Sequence, residues 1–403
     1  MPRLSQARQI QQEQEEQAIA YFEGTLEPLC DPRRGQGQRY PLRTVIVTAL
    51  MAMVCGCDDA EAMELWGNAN AAWLAGFLEM PHGPPTQDVF LRVFAALDPE
   101  AFSAVFRAWV GLLVLRLQIQ GKKHIAVDGK TSRRSFDTAS GGKAIHTVSA
   151  WMSEAGLVLG QRKTEEKSNE ITAIPELMRV LDLKGATVTI DAMGCQTEIA
   201  KTIVDGEGNY LIAVKDNQPT LRQDIEKTFA EAADKRVRSC DELARPAVEV
   251  SEEHDKGHGR VEKRTVQLCR DLSWLTTAEK WPGLAFVAQV LRETTVLTTG
   301  KTSSETAFYI GSDNEAGAAE AGSTIRRHWA VESKLHWVLD VAFREDDARH
   351  RARNTAQNLA TLRHFALNIV RQDRERKVGV ANSRKRAGFD RNYLIKLLTG
   401  ASE

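Results

Sequence analysis

Two aspartates each close a short apolar run, Asp128 in HIAVDGKTSRRS and Asp191 in VTIDAMGCQ. Each meets a small residue, Gly129 or Ala192, which leaves space beside the carboxylate for an ion and a phosphate. A lone strand-end aspartate is ordinarily a turn or a helix cap. Two at the ends of neighbouring strands point to a metal site. A third carboxylate, Glu332, lies in IRRHWAVESKLHWVLD, where helical spacing puts His328, Glu332 and His336 on one stripe flanked by Trp329 and Leu335. That stripe is expected to face inward, and a buried unpaired carboxylate is costly unless a cation relieves it. Asp340 is the alternative third ligand. Two divalent ions held by three carboxylates suit phosphoryl transfer, one activating the attacking oxygen and the other stabilising the leaving oxygen. Magnesium matches such oxygen ligands, with manganese as the alternative.

The elements that must position these residues follow from periodicity. Up to about residue 120 the pattern is helical, with Leu42, Val45, Ile46, Ala49, Leu50 and Met53 as one stripe and Thr86 placed to cap a helix carrying Val89, Phe90, Val93 and Phe94. Trp66 and Trp73 read as core, since no basic residue lies near them in sequence. From residue 123 the period shortens. HIAVD, KAIHTVSAWMS and LVLGQRKT read as three antiparallel strands, followed by a helix bearing Ile171, Ile174 and Leu177, the strand ATVTID, a helix from near Cys195, the strand NYLIAVK and a further helix. That order describes an α/β, ribonuclease-H-like core over residues 121–236 and 321–375, in which the Asp128 and Asp191 strands are parallel neighbours. RVEKRTVQLCR, GLAFVAQVLRET and TAFYIGS mark a β-rich insertion over 237–320, an all-helical domain fills 1–120, and 376–403 reads as a basic tail.

The 403 residues suffice for two or three domains, and the composition, 42% hydrophobic and 27% charged, excludes a disordered or fibrous chain. Six scattered cysteines suggest neither a disulfide framework nor a zinc knuckle, and no apolar run approaches the length of a membrane span. A cytoplasmic location without a signal or membrane anchor is expected. The net charge of −1 hides a gradient. Residues 1–120 carry 9 basic against 14 acidic side chains, net −5, whereas 344–398 carry 14 against 6, net +8. A basic terminal arm meeting a polyanion and a solvated helix face both fit.

The stretches VDGKTSRRSFD, KSNEITAIPELM, VTIDAMGCQTEIA, LIAVKDNQPTL, GHGRVEKR and RRHWAVESKLHWVLDVAFREDDAR, in that order, closely resemble the H-repeat-associated group of bacterial insertion-sequence transposases. The resemblance spans about residues 120–375, and the helical part before it resembles the domain these proteins carry ahead of their catalytic core. It implies a DDE transposase that cuts element ends and joins them to target DNA with magnesium, using Asp128, Asp191 and Glu332, which are 63 and 141 residues apart. Where the wider superfamily carries Tyr, Arg and Lys around the glutamate, this chain has Ile325, His328 and Leu339, so Arg326, Arg327 or Lys334 would take over phosphate binding. Double-stranded DNA, as terminal inverted repeats and target, is the implied partner, and a homodimer is expected by analogy, because two element ends must be handled together.

Lys130, Arg133 and Arg134 after Asp128, and Lys215 with Asn217 and Gln218 at the same sheet edge, either meet DNA or are a solvated turn and a cap. Arg349, Arg351, Arg353, Arg384, Lys385 and Arg386 of the basic segment are expected on phosphates. Ser168 and Glu170 fit a helix start, and His254, His258 and Arg260 fit a turn-like stretch of the insertion. Two other classes compete: a phosphatase of the haloacid-dehalogenase type, which wants an acid two residues after Asp128 where this chain has Lys130, and a non-catalytic DNA-binding protein descended from a transposase.

Overall fold

The computed structural model describes residues 13, 16, 17, 19–119, 121–136, 144–164, 169–233, 246–257, 259–374 and 377–400. The helical first third comprises α1 (Leu42–Val54), α2 (Ala60–Ala69), α3 (Gln87–Ala96) and α4 (Pro99–Arg116). Every residue of α1 except Arg43 is buried, so it forms the centre of that bundle rather than an amphipathic cover. Asp59 and Asp98 cap α2 and α4 by accepting from first-turn amides. Thr86 precedes α3 without a side-chain cap bond, and Glu64 takes the Gln87 amide instead, at 2.7 Å. Trp66 and Trp73 pack partly buried against the core, although Arg391 stacks on Trp73 at 4.6 Å.

The second part is built on one nine-stranded mixed sheet, ordered β3-β2-β1-β4-β5-β9-β8-β7-β6. Strands β1 (Lys123–Thr131), β2 (His146–Met152) and β3 (Leu157–Thr164) form the antiparallel meander. After α5 (Glu170–Met178), β4 (Ala186–Ile190) pairs parallel with β1; after α6 (Thr197–Asp205), β5 (Asn209–Val214) pairs parallel with β4. Helix α7 (Pro219–Ala233) follows. Strands β6 (Val248–Gly257), β7 (Arg260–Cys269), β8 (Phe286–Val296) and β9 (Thr302–Gly311) then add an antiparallel meander, with β9 joined to β5. The β-rich stretch therefore continues the sheet. His254, expected in a turn, lies within β6; His258 falls outside the described residues.

Helix α8 (Ala318–His328), a π-helical segment Glu332–His336 and α9 (Trp337–Phe343) replace the single helix expected there. Helix α10 (Thr355–Gln372) ties the halves together. Asn358 Nδ2 donates to the carbonyls of Phe94 and Leu97, Asn368 bonds both backbone groups of Val158 on the outer strand β3, and Phe365 packs among Phe102, Phe106 and Trp109. Side chains of this size each contribute about 1.5–3 kcal/mol on burial. The expected basic tail is instead two helices, α11 (Val380–Phe389) and α12 (Arg391–Thr399), whose Tyr393, Leu394, Leu397 and Leu398 are buried in the core. Among the described residues no helix is long and apolar enough to cross a membrane.

Candidate active site

The last β1–β4 pair is Val127 with Ile190, so Asp128 and Asp191 follow it side by side. Alternation along β1 sends Asp128 and Lys130 to the face covered by α8 and α9, and Gly129 and Thr131 to the opposite face. Strand β1 does not end at Asp128; it runs three residues further, paired with β2, which fixes the backbone on both sides of the carboxylate. Asp191 starts a short 3-10 turn, its Oδ1 accepting from the Met193 and Gly194 amides at 3.1 and 3.4 Å. Burial pushes the Asp128 carboxyl up to about 7, and the negative charges of Asp191, Glu170 and Glu332 act in the same direction. These acids thus share one electrostatic neighbourhood.

Glu332 is exposed rather than turned inward. The wide π turn at Glu332–His336 breaks the straight stripe inferred from helical spacing, so its members face different ways. His328 is buried and bonded through Nδ1 to Thr189 Oγ1 at 2.9 Å, while His336 Nδ1 lies 3.5 Å from Asp128 Oδ2. Among the described residues, His336 Nε2 is buried with no hydrogen-bond partner. Burial holds the imidazoles of His328 and His336 down at about 4.

Lys130, expected on DNA phosphates or in a solvated turn, is turned toward acids of the chain itself. Its side chain is 12% exposed, and its ammonium lies 2.6 Å from Asp340, 2.8 Å from Glu345 and 3.4 Å from Asp346. Asp340 is thereby committed to a lysine, which weakens its claim as third ligand. Arg384 is likewise withdrawn: 2% exposed, it donates to the carbonyls of Met53 and Ala342, pairs with Asp58 at 2.5 Å and stacks on Phe343 at 3.8 Å. Its neighbours in sequence stay outside, Lys385 exposed and Arg386 59% exposed over the Tyr393 ring. Arg133 (84% exposed), Arg134, Lys215 and Lys334 are exposed as expected. Arg326 pairs with Asp255 and Arg327 with Glu154, so both are partly engaged. Asn217 and Gln218 bond the carbonyls of Ala192 and Cys195, closing the turn after Asp191. Beside Asp191 opens a groove of about 320 Å³, with Lys215, Arg264, Arg292 and Trp329 in its lining.

Two residues were missed as site residues. Glu170, read as a helix-start residue, is 5% exposed and accepts from His146 Nε2 at 2.5 Å; His146 Nδ1 meets the Thr131 hydroxyl at 2.7 Å. The space beside Gly129, expected to be open, is filled by this pair. A Cβ at position 129 would stand 2.3 Å from Glu170 Oε1 and 2.6 Å from His146 Nε2. The alternation of β1 was a usable signal, since it forces Gly129 onto the face opposite Asp128. Ser168 lies outside the described residues.

All the carboxylates offer hard oxygen donors, and their mutual repulsion is what a divalent cation would relieve. Among the described residues, however, no three His, Cys, Asp or Glu stand close enough together to hold an ion. Comparison with known proteins fixes the class. Residues 119–369 match the transposase DDE domain, and residues 24–110 match the DDE_Tnp_1-associated domain. This chain belongs to the DDE transposase family. Within it, the transposase is 35% identical to YhhI, an H repeat-associated protein of Escherichia coli (strain K12), over 92% of this chain and 96% of that one. YbfL of the same organism shows the same identity and coverage. YbfD, also H repeat-associated, is 35% identical over 59% of this chain and 90% of its own. These matches place the transposase in the H-repeat-associated group.

Proposed function

We propose that this transposase cleaves DNA strands at the ends of its element and transfers them into target DNA, with Asp128, Asp191 and Glu332 as the acidic triad of a ribonuclease-H-like core. The observation that carries the reading is the parallel register of Val127 with Ile190, which sets two carboxylates abreast on one sheet face. The strand order β3-β2-β1-β4-β5 supports the core assignment, with residues 1–120 as a helical domain and β6–β9 as the extension. When bound, two magnesium ions supply a polarised attacking oxygen and charge neutralisation at the leaving oxygen. The chain's own part is to hold the ligands. Backbone pairing fixes Asp128, the turn amides orient Asp191, His336 packs against Asp128, and Glu332 comes from the solvent side of the π segment. Lys215, Lys334, Arg133 and Arg134, all exposed around the acids, would meet phosphates and position the duplex. A homodimer handling two element ends, acting on DNA in the cytoplasm, completes the reading.

A second reading, a non-catalytic DNA-binding descendant, draws on the exposure of Glu332 and the absence of an assembled three-ligand group among the described residues. One assay separates the two. Purified protein incubated with the inverted repeats flanking its own gene should give magnesium-dependent nicks and joined products in the first case, and bound but intact DNA in the second.

A further inference from the structure

Behind the two aspartates, on the sheet face away from α8 and α9, the chain Thr131–His146–Glu170 is buried at its inner end and reaches the surface only at Thr131. A carboxylate can only accept, so His146 Nε2–H donates to Glu170 and Nδ1 takes the Thr131 hydroxyl. Thr131 and His146 are cross-strand partners on β1 and β2, and Glu170 is the first residue of α5. The contact is close enough that a Cβ at 129 would press on both the Glu170 carboxylate and the His146 ring. The same helix reaches the other aspartate. Ile174 of α5 packs on the turn that Asp191 starts, where a Cβ on Gly194 would lie 3.5 Å from Ile174 Cδ1. One helix of nine residues is therefore tied at one point, through His146 of β2 and Thr131, to the Asp128 strand and packed at another on the Asp191 turn.

We propose that Glu170 is a positioning residue for the acidic site: through His146 and Thr131 it locks α5 to the back of β1, and α5 in turn sets the spacing of Asp128 and Asp191 for a divalent cation. The inference rests on the triad reading above and adds to it a buried partner that never touches the DNA or the ion. Partners of this kind orient metal ligands without binding the metal, and losing one typically costs about 10–100-fold in metal affinity. Two features set Glu170 apart from an ordinary core acid. It sits where a substituent on the residue next to Asp128 would clash, and its bond runs to the neighbouring strand rather than to its own helix.

The test is Mn2+ binding to full-length protein without DNA, read by the loss of the free-ion electron paramagnetic resonance signal, alongside thermal unfolding and duplex binding. Glu170→Ala should weaken Mn2+ binding about 10–100-fold with duplex affinity unchanged, and Glu170→Gln, which keeps an oxygen acceptor for His146, should restore most of it. If Glu170→Ala does not fold, Thr131→Val carries the same expectation in smaller measure, a loss of about three- to tenfold, because it removes only the hydroxyl that orients the ring. Native Mn2+ affinity in a folded Glu170→Ala, or in Thr131→Val where Glu170→Ala is unfolded, overturns the proposal. Equal losses in Glu170→Ala and Glu170→Gln overturn it as well, since charge rather than position would then matter. Asp128→Asn separates this failure from failure of the triad reading. If Asp128→Asn binds Mn2+ as the native protein does, the triad reading falls, whereas loss in Asp128→Asn with native affinity in Glu170→Ala removes only the positioning role.

Discussion

Asp128 and Asp191 stand abreast because each is the residue next after a paired position, Val127 on β1 and Ile190 on β4, in two parallel strands. Sixty-three residues of chain are brought to one sheet face by five backbone pairs. What lies behind and in front of that face decides how firmly the pair is held.

Gly129 is the tightest point of the rear layer. Gly129→Ala should destabilise the protein by about 1–3 kcal/mol, as overpacking does, because the new methyl meets the Glu170 carboxylate and the His146 ring. Urea unfolding would check it; unchanged stability would mean that α5 can retreat freely.

Arg384 should behave as a structural residue. Arg384→Met leaves Asp58 and two carbonyls without their donor, and breaking a buried pair in this way costs about 3–5 kcal/mol. Lys385→Ala, one residue on and exposed, should stay within about 0.5 kcal/mol. Equal effects of the two on unfolding midpoints would return Arg384 to the surface role that sequence suggested.

The exposed basic residues should carry the salt dependence of DNA binding. Removing Arg133 and Arg134 together should flatten the log–log slope of affinity against salt by about 0.9 for each phosphate no longer neutralised, equally for specific and random duplexes. A slope unchanged in the double variant would move the DNA path to the groove beside Asp191 and Lys215.

Stability should fall on mild acidification. Burial holds His124 down at about 3 and His328 and His364 at about 4, against about 6.5 for an unfolded histidine. As pH drops below about 6.5 the unfolded chain binds protons that the native state refuses, so stability present at pH 7 is lost progressively toward pH 4. Melting temperatures at pH 7.5, 6 and 5 should decline in that order; a flat profile would show that these rings open to solvent.

Much of this architecture was legible in the sequence. Period-two runs located β1 to β3 and short apolar runs β4 and β5, and their order with the intervening helices gave the parallel neighbours that bring Asp128 to Asp191. The π turn was not legible. Helical spacing assumes a uniform pitch, and a widened turn at Glu332–His336 rotates every later side chain, which is why His336 rather than Glu332 stands against Asp128. The surroundings of Lys130 and Arg384 were not legible for a different reason. A basic residue goes inside where acids or carbonyls from distant segments await it, here Asp340, Glu345 and Asp346 for the one and Asp58 and Met53 for the other. The segment 376–403 read as a basic tail from its charge, yet Tyr393, Leu394 and Leu397 dock its last helix in the core.

The central claim is that Glu332, not Asp340, completes the site with Asp128 and Asp191, and a paired cleavage assay tests it most directly. Glu332→Gln and Asp340→Asn would be incubated with magnesium and a duplex carrying the flanking inverted repeat, and nicked product measured against native protein at matched duplex binding. The account predicts that Glu332→Gln loses about a hundredfold or more of its cleavage rate, since several kcal/mol of charge stabilisation is at stake and each step of about 1.4 kcal/mol is tenfold. Asp340→Asn, which only loosens the contact with Lys130, should keep cleavage within about tenfold of native on the same scale. Full cleavage by Glu332→Gln, with or without its loss in Asp340→Asn, would contradict the account.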